Sequence, residues 1–259
     1  MTMLAYDDCG TGLPVVLIHG FPLNRQMWQP QVTALSTAGY RVICPDLPGF
    51  GQSPSLASAA TMSAYADFLV DLLDQLGIDC AVWGGMSMGG YVLLNLLDRH
   101  RSRCRAAMFL VTRASADDAA GRDKRTALAA EVDGGNPQLV GNNFSQVLFA
   151  PQTSSEQPEL VERVQDWMAN SPSPGLSAGL RAMRDRIDYL ERLPEFDLPA
   201  LVVGAEQDLA VPMEHARLLA AGLPQATLEV IAGAGHMANL ENPGHFNQVL
   251  LDFLNRLEG

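Results

Sequence analysis

Lysine is almost absent from this chain of 259 residues, which has only one, Lys124. Acidic side chains outnumber basic ones by 29 to 17, and the formal net charge is -12 at pH 7. Nucleic acids and anionic membrane surfaces repel a protein of this charge, so neither is expected as a partner. We interpret the charge as a contribution to solubility.

Long hydrophobic runs are also missing. No apolar segment approaches the length that spans a membrane, and no N-terminal segment combines a basic start with an apolar core. The sequence therefore predicts a soluble, cytoplasmic protein. Hydrophobic residues still make up 47% of the chain, which is enough to bury a sizeable core in one α/β domain, with or without an insertion.

Metal-binding patterns are absent as well. None of the five histidines belongs to a His-x-x-x-His or His-Glu-x-x-His pair, and the four cysteines lack metal-ligand spacing: Cys9, Cys44, Cys80 and Cys104. We interpret these cysteines as small buried hydrophobic residues in a reducing compartment. No metal site and no cofactor are expected.

The most informative motif that is present is the pentapeptide Gly85-Met86-Ser87-Met88-Gly89. An apolar run at 81–83 precedes it and a helical pattern follows it. This arrangement indicates a nucleophile elbow, a strained turn between a strand and a helix that exposes the serine hydroxyl. The bare pattern also occurs by chance in loops, so the rest of the chain has to support the interpretation.

Apolar runs alternate with helical periodicity on both sides of this motif. The predicted strands are 3–6, 15–18, 41–44, 81–83, 106–111, 200–203 and 228–231. The predicted helices include 61–76, 88–100 and 243–257, and Thr61 and Asn242 are candidate N-caps. This alternation predicts a mostly parallel sheet of about seven to eight strands with helices on both faces.

Strand-like runs disappear between 113 and 193. Short helical stretches separated by Gly, Pro and Ser clusters replace them, with candidate helices at 121–132, 138–149, 156–169 and 175–189. We interpret this segment, residues 113–193, as an all-helical cap. It is inserted into an α/β core formed by residues 1–112 and 194–259.

Two later loops contain the residue types that activate a serine. Asp208 follows the sixth predicted strand and His236 follows the seventh, in the known triad order Ser, Asp, His. Ligands of open parallel sheets bind outside the carboxyl ends of the strands, where these loops lie. Glu206 competes with Asp208 for the role of the acid. Three other histidines lie within or at the end of predicted helices: His100, His215 and His245.

The loop after the second predicted strand begins with His19-Gly20-Phe21-Pro22. A serine that attacks a carbonyl creates an oxyanion, and backbone N–H groups stabilise it without a titrating side chain. The N–H of Phe21 is one candidate donor, and the N–H of Met88, directly after the serine, is the other. The alternative for His19-Gly20 is an ordinary turn that leaves a strand.

Taken together, these segments resemble the α/β-hydrolase family over essentially the whole chain, and the segment 46–53 adds a further matching motif. Within the family, the small cap and several short motifs resemble the 3-oxoadipate enol-lactonase-like esterases and lactonases: Phe21-Pro22, Met27-Trp28, Gln31 and Tyr91. The resemblance implies an α/β-hydrolase fold and the triad Ser87, Asp208 and His236.

Three departures from the family pattern affect this expectation. Relatives of this type often have Asp-Thr-Arg-Ala after the strand that follows the nucleophile helix, whereas here Val111 precedes Thr112-Arg113-Ala114. This change strengthens Asp208 as the acid. The N-terminus is short, which leaves room for one edge strand fewer than the usual eight. Met86 stands where many relatives have His or Gln, which makes the floor of the cleft less polar.

The resemblance implies a serine hydrolase, a carboxylesterase that cleaves small to medium esters through an acyl-enzyme. Six apolar residues are candidates for substrate binding, with packing of the cap on the core as their alternative role: Trp28, Met86, Phe144, Leu148, Trp167 and Met237. Three arginines are candidates for binding a substrate carboxylate, with solvation or structural pairing as the alternative: Arg113, Arg181 and Arg184. Uncharged esters are the favoured substrates.

Other functions stay open at this point. Enol-lactones and acyl-homoserine lactones are alternative substrates, and perhydrolysis is a possible side activity because peroxide can replace water in the same mechanism. A hydrolase-like signal receptor with an intact triad is an alternative of a different class. The expected partner is a small-molecule ester or lactone, and the chain is a monomer or a dimer.

Overall fold

The computed structural model describes residues 4–55 and 60–257. Its seven strands form one sheet in the order β1-β3-β2-β4-β5-β6-β7. They are β1 (Tyr6–Cys9), β2 (Pro14–Ile18), β3 (Arg41–Pro45), β4 (Ala81–Met86), β5 (Cys104–Leu110), β6 (Ala200–Ala205) and β7 (Ala226–Ile231). Only the β1–β3 pair is antiparallel among the strand pairs of this part of the chain. The predicted mostly parallel α/β sheet is confirmed.

Helices cover both faces of this sheet. The core helices are α1 (Gln29–Thr37), α2 (Met62–Gln75), α3 (Met88–Arg99), α9 (Met213–Gly222), α10 (Ala238–Glu241) and α11 (Pro243–Arg256). Along β2, Val16 and Ile18 belong to one hydrophobic cluster with α2, α3 and α9, whereas Val15 and Leu17 belong to another with α1 and α11. Successive side chains of a strand point to opposite faces, so the two clusters lie on opposite sides of the sheet.

The expected helix caps are present. The side chain of Thr61 accepts a hydrogen bond from the N–H of Ala64 (3.0 Å) at the start of α2. The side chain of Asn242 accepts one from the N–H of His245 (3.3 Å) at the start of α11. These bonds satisfy donors that have no acceptor within the helix.

The predicted first strand, 3–6, begins outside the described residues, and the structure places β1 later in the chain. Hydropathy predicted this strand too early in the chain because Asp7 and Asp8 occupy its centre. Their carboxylates form ion pairs with Arg25 (3.0 Å) and Arg41 (2.7 Å). As an edge strand, β1 can therefore contain charged side chains, which would be unfavourable in a central, buried strand.

Five further α-helices and a short 3-10 helix (Leu190–Glu195) lie between β5 and β6. The α-helices are α4 (Ala119–Asp133), α5 (Gln138–Ser145), α6 (Thr153–Glu156), α7 (Pro158–Ala169) and α8 (Ser173–Arg184). No strand of the described chain lies among them. The predicted helix 156–169 is wrong at its start, because Pro158 cannot continue α6 and instead begins α7. The division into an α/β core and a separate cap at 113–193 stays a prediction.

Two of these helices end earlier than predicted. Helix α5 ends at Ser145 rather than at 149, and the carbonyl of Leu148 accepts a hydrogen bond from the N–H of Met237 (3.0 Å). Helix α8 ends at Arg184 rather than at 189, and Arg186 folds back onto Asp117 (2.8 Å). In both cases a contact with a residue distant in sequence replaces the continuation of a helix.

Candidate active site

Ser87 lies between β4 and α3 in a backbone conformation that L-residues rarely adopt, with φ 52° and ψ -114°. Two hydrogen bonds from the end of β5 hold this turn. The N–H of Ser87 donates to the carbonyl of Leu110 (3.0 Å), and the hydroxyl of Thr112 donates to the carbonyl of Ser87 (2.7 Å). Strain of this kind persists only where the surroundings fix the conformation, and it often marks a functional site.

The glycines on either side of Ser87 allow the close approach that the motif predicts. A Cβ atom on Gly85 would lie 2.3 Å from the carbonyl oxygen of Gly89, and one on Gly89 would lie 2.4 Å from the carbonyl oxygen of Ile18. Neither position tolerates a side chain without movement of the backbone. The start of α3 consequently lies directly against the end of β2.

His236 and Asp208 meet at the carboxyl ends of β7 and β6. The Nδ1 atom of His236 lies 2.7 Å from Oδ2 of Asp208, and their side chains are 5% and 0% exposed. The other oxygen of Asp208 accepts hydrogen bonds from the N–H groups of Ala210 and Val211, both at 2.8 Å. Asp208 is thus fixed in place and directed at the imidazole.

The competing acid, Glu206, is engaged elsewhere. Its carboxylate accepts a hydrogen bond from the N–H of Gly233 (2.8 Å) and stabilises the start of the loop that contains His236. His100 instead lies 2.7 Å from Asp67, and His215 and His245 lie in α9 and α11. Of the candidate acids and histidines, the structure joins Asp208 with His236.

The side chain of His19 is buried and fixes the loop that begins at this residue. Nε2 of His19 accepts a hydrogen bond from the N–H of Leu47 (2.9 Å), so Nδ1 bears the proton and donates to the carbonyl of Gly20 (2.9 Å). Burial lowers the pKa of His19, although the nearby Asp46 carboxylate and the bond to Gly20 oppose this effect. The neutral imidazole therefore connects two loops without placing a charge in the core.

Two backbone donors beside Ser87 are unused. Within residues 4–55 and 60–257, no acceptor pairs with the N–H of Phe21. Met88 is the first residue of α3, where N–H groups have no acceptor within the helix. A Cβ atom on Gly20 would lie 3.4 Å from Cβ of Ser87, so the two loops are in contact.

The six predicted substrate-binding residues fall into two groups. Four are at most 1% exposed and belong to the hydrophobic cluster that includes α1 and α11: Trp28, Met86, Leu148 and Met237. Phe144 and Trp167 are partly buried and line two separate pockets of about 660 and 360 Å³. Their roles in binding stay a prediction.

The three candidate arginines have acidic partners. Arg184 pairs with Asp185 (2.6 Å) and Arg181 pairs with Asp133, both near the surface. Arg113 pairs with Asp117 (2.5 Å), whose side chain is only 4% exposed. The first two pairs are typical of a solvated surface, whereas Arg113 lies next to Thr112 and lines the pocket of about 660 Å³.

Glu241 is a residue that the sequence did not single out. Its carboxylate is buried and accepts hydrogen bonds from the N–H of Gly235 (3.0 Å), the N–H of Ala150 (2.8 Å) and the hydroxyl of Thr153 (2.5 Å). It therefore connects the residue before His236 to the segment that follows α5. A glutamate one residue before a helix cap looks like a surface residue, and no sequence signal distinguishes it.

The part of the chain that the structure describes lacks two kinds of feature, a cluster of metal ligands and a helix that could cross a membrane. No group of three or more His, Cys, Asp or Glu side chains in residues 4–55 and 60–257 is arranged to hold a metal ion. In the same ranges, none of the helices combines the length and the hydrophobicity needed to cross a bilayer.

Comparison with known proteins gives a consistent result. A solved structure of a thermophilic esterase from Thermogutta terrifontis, with malate bound, superposes with a TM-score of 0.96 at 35% identity, covering 99% of this chain and 94% of that one. A putative non-heme chloroperoxidase from Synechocystis sp. is 31% identical over 96% of this chain and 94% of its own. A pimeloyl-[acyl-carrier protein] methyl ester esterase from Aeromonas hydrophila is 29% identical over 97% of this chain and 99% of its own.

The family assignment follows from both the fold and these similarities. Residues 14–243 match the family described as the alpha/beta hydrolase fold. This range extends from β2 to the start of α11 and includes the turn at Ser87, the loop of His19 and both loops that contain Asp208 and His236. The resemblance inferred from the sequence is confirmed, and the chain belongs to the α/β-hydrolase family.

Proposed function

We propose that the protein is a carboxylesterase that cleaves small to medium carboxylic esters through a covalent acyl-enzyme. The chain is a carboxylic ester hydrolase by its family and by the esterases among its relatives. Ser87 is the nucleophile, His236 is the general base, and Asp208 orients the imidazole. The observation that supports this most is the 2.7 Å contact of buried His236 and Asp208 together with the strained backbone of Ser87.

Acylation requires the serine hydroxyl to lose its proton as it attacks. Asp208 accepts a hydrogen bond from Nδ1–H of His236, so Nε2 is unprotonated and able to act as the base. The imidazolium that forms is stabilised by the carboxylate of Asp208 and then returns the proton to the leaving alcohol. Ser87 retains the acyl group as an ester.

The oxyanion of the tetrahedral intermediate accepts hydrogen bonds from the N–H groups of Phe21 and Met88. Both donors belong to rigid backbone and have no other acceptor in the described chain, so they need not be freed before reaction. His19 contributes indirectly, because its bonds to Leu47 and Gly20 fix the loop that presents Phe21.

Water completes the cycle by attacking the acyl-enzyme with help from His236. A lactone is a cyclic ester and passes through the same steps, so lactones are alternative substrates. Hydrogen peroxide in place of water yields a peracid, and we propose perhydrolysis as a side activity on the basis of the relatives named non-heme chloroperoxidases.

A cap of residues 113–193 covers the site and shapes the substrate pocket.

Turnover of a chromogenic ester tests the proposal. Purified protein is expected to hydrolyse 4-nitrophenyl butyrate over many turnovers, and Ser87→Ala should lower kcat by several orders of magnitude, because nucleophile and base act as a unit. Ser102→Ala removes an exposed hydroxyl and is the matched control. Retained activity in Ser87→Ala would refute the triad, and a single turnover per molecule would instead indicate a receptor.

A further inference from the structure

Helix α8 packs against the loop that contains Phe21 through two buried glycines one turn apart, Gly175 and Gly179. A Cβ atom on Gly179 would lie 2.9 Å from Cζ of Phe50 and 3.0 Å from Cδ2 of Phe21. A Cβ atom on Gly175 would lie 1.8 Å from the carbonyl oxygen of Gly49. A side chain at either position would therefore move the helix or the loops that it contacts.

A glycine inside a helix needs a reason, because it lowers the stability of the helix relative to alanine. Gly179 lies in the interior of α8, and it is not one of the glycines with a positive φ. The backbone conformation therefore does not require glycine there. The contact with the rings of Phe21 and Phe50 is the feature that does.

The ring of Phe21 is enclosed by two other rings as well. Its centre lies 5.9 Å from that of Phe50, in an edge-to-face arrangement, and 5.3 Å from that of Phe144 on α5. Phe21 is only 3% exposed. Protein interiors are close-packed, so a group that presses on this ring displaces the backbone to which the ring is attached. The distance between α8 and the ring consequently affects the backbone of Phe21.

The backbone on both sides of Phe21 is held by hydrogen bonds. The hydroxyl of Ser171, two residues before α8, donates to the carbonyl of Pro22 (2.5 Å). The imidazole of His19 donates to the carbonyl of Gly20 (2.9 Å). The N–H of Phe21 lies between these two points and meets no acceptor in residues 4–55 and 60–257. Residues 171–179 thus contact both the ring of Phe21 and the backbone next to it.

We infer that Gly179 and Ser171 are positioning residues of the proposed oxyanion site. Gly179 fixes the ring of Phe21 and Ser171 fixes Pro22, so together they direct the N–H of Phe21 at the developing oxyanion. The inference rests on the proposed esterase function, in which this N–H is a donor. An oxyanion forms only as the serine attacks, so a misplaced donor lowers kcat and leaves KM nearly unchanged.

Gly179→Ala tests the contact with the ring. Non-bonded carbon atoms prefer a separation of about 3.5–4.0 Å, so the new methyl group should displace the ring by roughly 0.5 Å. A misplacement of about 1 Å can lower a rate by a factor of about 100, so we expect kcat for 4-nitrophenyl butyrate to fall about tenfold with little change in KM. Urea unfolding establishes that the variant is folded. Gly141→Ala on α5, where the nearest atom is 3.8 Å away, is the matched control and should keep the wild-type kcat.

A transition-state analogue separates positioning from substrate binding. The hydroxyl of Ser87 adds to the carbonyl of 1,1,1-trifluoropentan-2-one and forms a hemiketal whose oxygen occupies the oxyanion site, while the hydroxyl proton passes to His236. The propyl chain of this ketone matches that of butyrate. We expect its inhibition constant to rise in Gly179→Ala by about the factor by which kcat/KM falls.

Compensation at the ring is a further test. Leucine at position 21 occupies less space than phenylalanine, so the methyl group of Gly179→Ala should press less on the loop when Phe21→Leu is also present. We expect Gly179→Ala to lower kcat by a smaller factor in the Phe21→Leu protein than in the wild type.

Ser171→Ala tests the attachment of the backbone. It only removes an atom, so the fold should stay intact. We expect kcat to fall about fivefold with unchanged KM, as the loss of one hydrogen bond predicts. Ser171→Thr retains the hydroxyl and should restore most of the activity, and exposed Ser102→Ala is the matched control.

The outcomes separate the two proposals. Wild-type kcat in folded Gly179→Ala and in Ser171→Ala, a rise in KM without a fall in kcat, or an unchanged inhibition constant of the ketone overturns the inference and leaves the esterase function standing. Where Gly179→Ala does not fold, Ser171→Ala and Ser171→Thr decide in the same way. Failure of the wild-type protein to hydrolyse every ester overturns the esterase function and the inference with it. Lower kcat, weaker binding of the ketone and compensation by Phe21→Leu support the inference.

Discussion

The carboxylate of Glu241 accepts a hydrogen bond from the backbone N–H of Gly235, the residue directly before His236, at 3.0 Å. Its second oxygen accepts from Ala150 and Thr153. Three neutral donors, and no cation of the described chain, stabilise this buried charge. The loop that contains His236, the proposed general base, is thus attached to the segment that follows α5.

Glu241→Gln should misplace His236 without replacing any residue that is proposed to contact the substrate. The amide nitrogen brings a donor to a site that contains only donors, so at least one hydrogen bond is lost. We expect the free energy of unfolding to fall by about 1–3 kcal/mol. We expect kcat for 4-nitrophenyl butyrate to fall about tenfold or more with little change in KM. Steady-state kinetics and urea unfolding measure both effects, with exposed Glu159→Gln as control. An unchanged kcat would show that Glu241 does not position the base.

Thr112→Val should weaken the elbow without changing its shape. Valine has nearly the size of threonine but cannot donate to the carbonyl of Ser87, a bond of 2.7 Å in the structure. Loss of this bond should cost about 1 kcal/mol of stability and lower kcat, because the strained φ of Ser87 is then less well fixed. Thr112→Ser keeps the hydroxyl and should retain more activity. Equal activity of the two variants would contradict the role of this hydrogen bond.

Gly85→Ala should prevent folding of the elbow. The added Cβ would lie 2.3 Å from the carbonyl oxygen of Gly89, so β4 and α3 would have to separate. We expect severe loss of stability and activity in thermal unfolding and ester hydrolysis. Gly141→Ala is the opposite case, since the nearest atom, Cβ of Met168, is 3.8 Å away and alanine favours the helix. A Gly85→Ala protein as stable as Gly141→Ala would refute the close approach.

His19 should make stability depend on pH. Burial lowers its pKa below the ordinary 6.5, so the unfolded chain binds a proton near pH 6 that the folded protein does not bind. The contribution of His19 to stability is therefore greatest above pH 6.5 and falls as the pH decreases below it, by at most about 1.4 kcal/mol per pH unit for one proton.

Urea unfolding between pH 5 and 8 measures this slope. His19→Asn should reduce it between pH 6.5 and 5.5, and His215, whose pKa burial also lowers, accounts for slope that remains. His245→Asn, at an exposed position of α11, should leave the slope unchanged. A slope of unchanged size in His19→Asn would assign the effect to other groups, such as His215.

Much of the geometry of the candidate site was predictable because it depends on local pattern and topology. The elbow at Ser87 is a short strand-turn-helix motif, and Asp208 and His236 follow neighbouring parallel strands, whose carboxyl ends lie at one edge of the sheet. Contacts between residues far apart in sequence were not predictable. Glu241 binds Ala150 across 91 positions, and no periodicity encodes such a contact.

The same distinction between local pattern and long-range contact explains the errors in the predicted bounds of strands and helices. The first strand was predicted at 3–6, three residues before β1, because Asp7 and Asp8 lower the hydropathy of β1. The ion pairs of these two residues exist only once Arg25 and Arg41 lie beside them. Helix α8 ends at Arg184, before the predicted end, and Arg186 binds Asp117 outside it. Tertiary contacts decided both boundaries.

Covalent labelling of Ser87 tests the central claim most directly. The protein is treated with a 4-nitrophenyl phosphonate ester, which serine hydrolases attack and retain, and is examined by intact-mass and peptide mass spectrometry. The account predicts one adduct per molecule on Ser87, loss of activity in proportion to labelling, and little labelling of His236→Ala, in which the hydroxyl lacks its base. An adduct on another residue, or full labelling with activity retained, would contradict it.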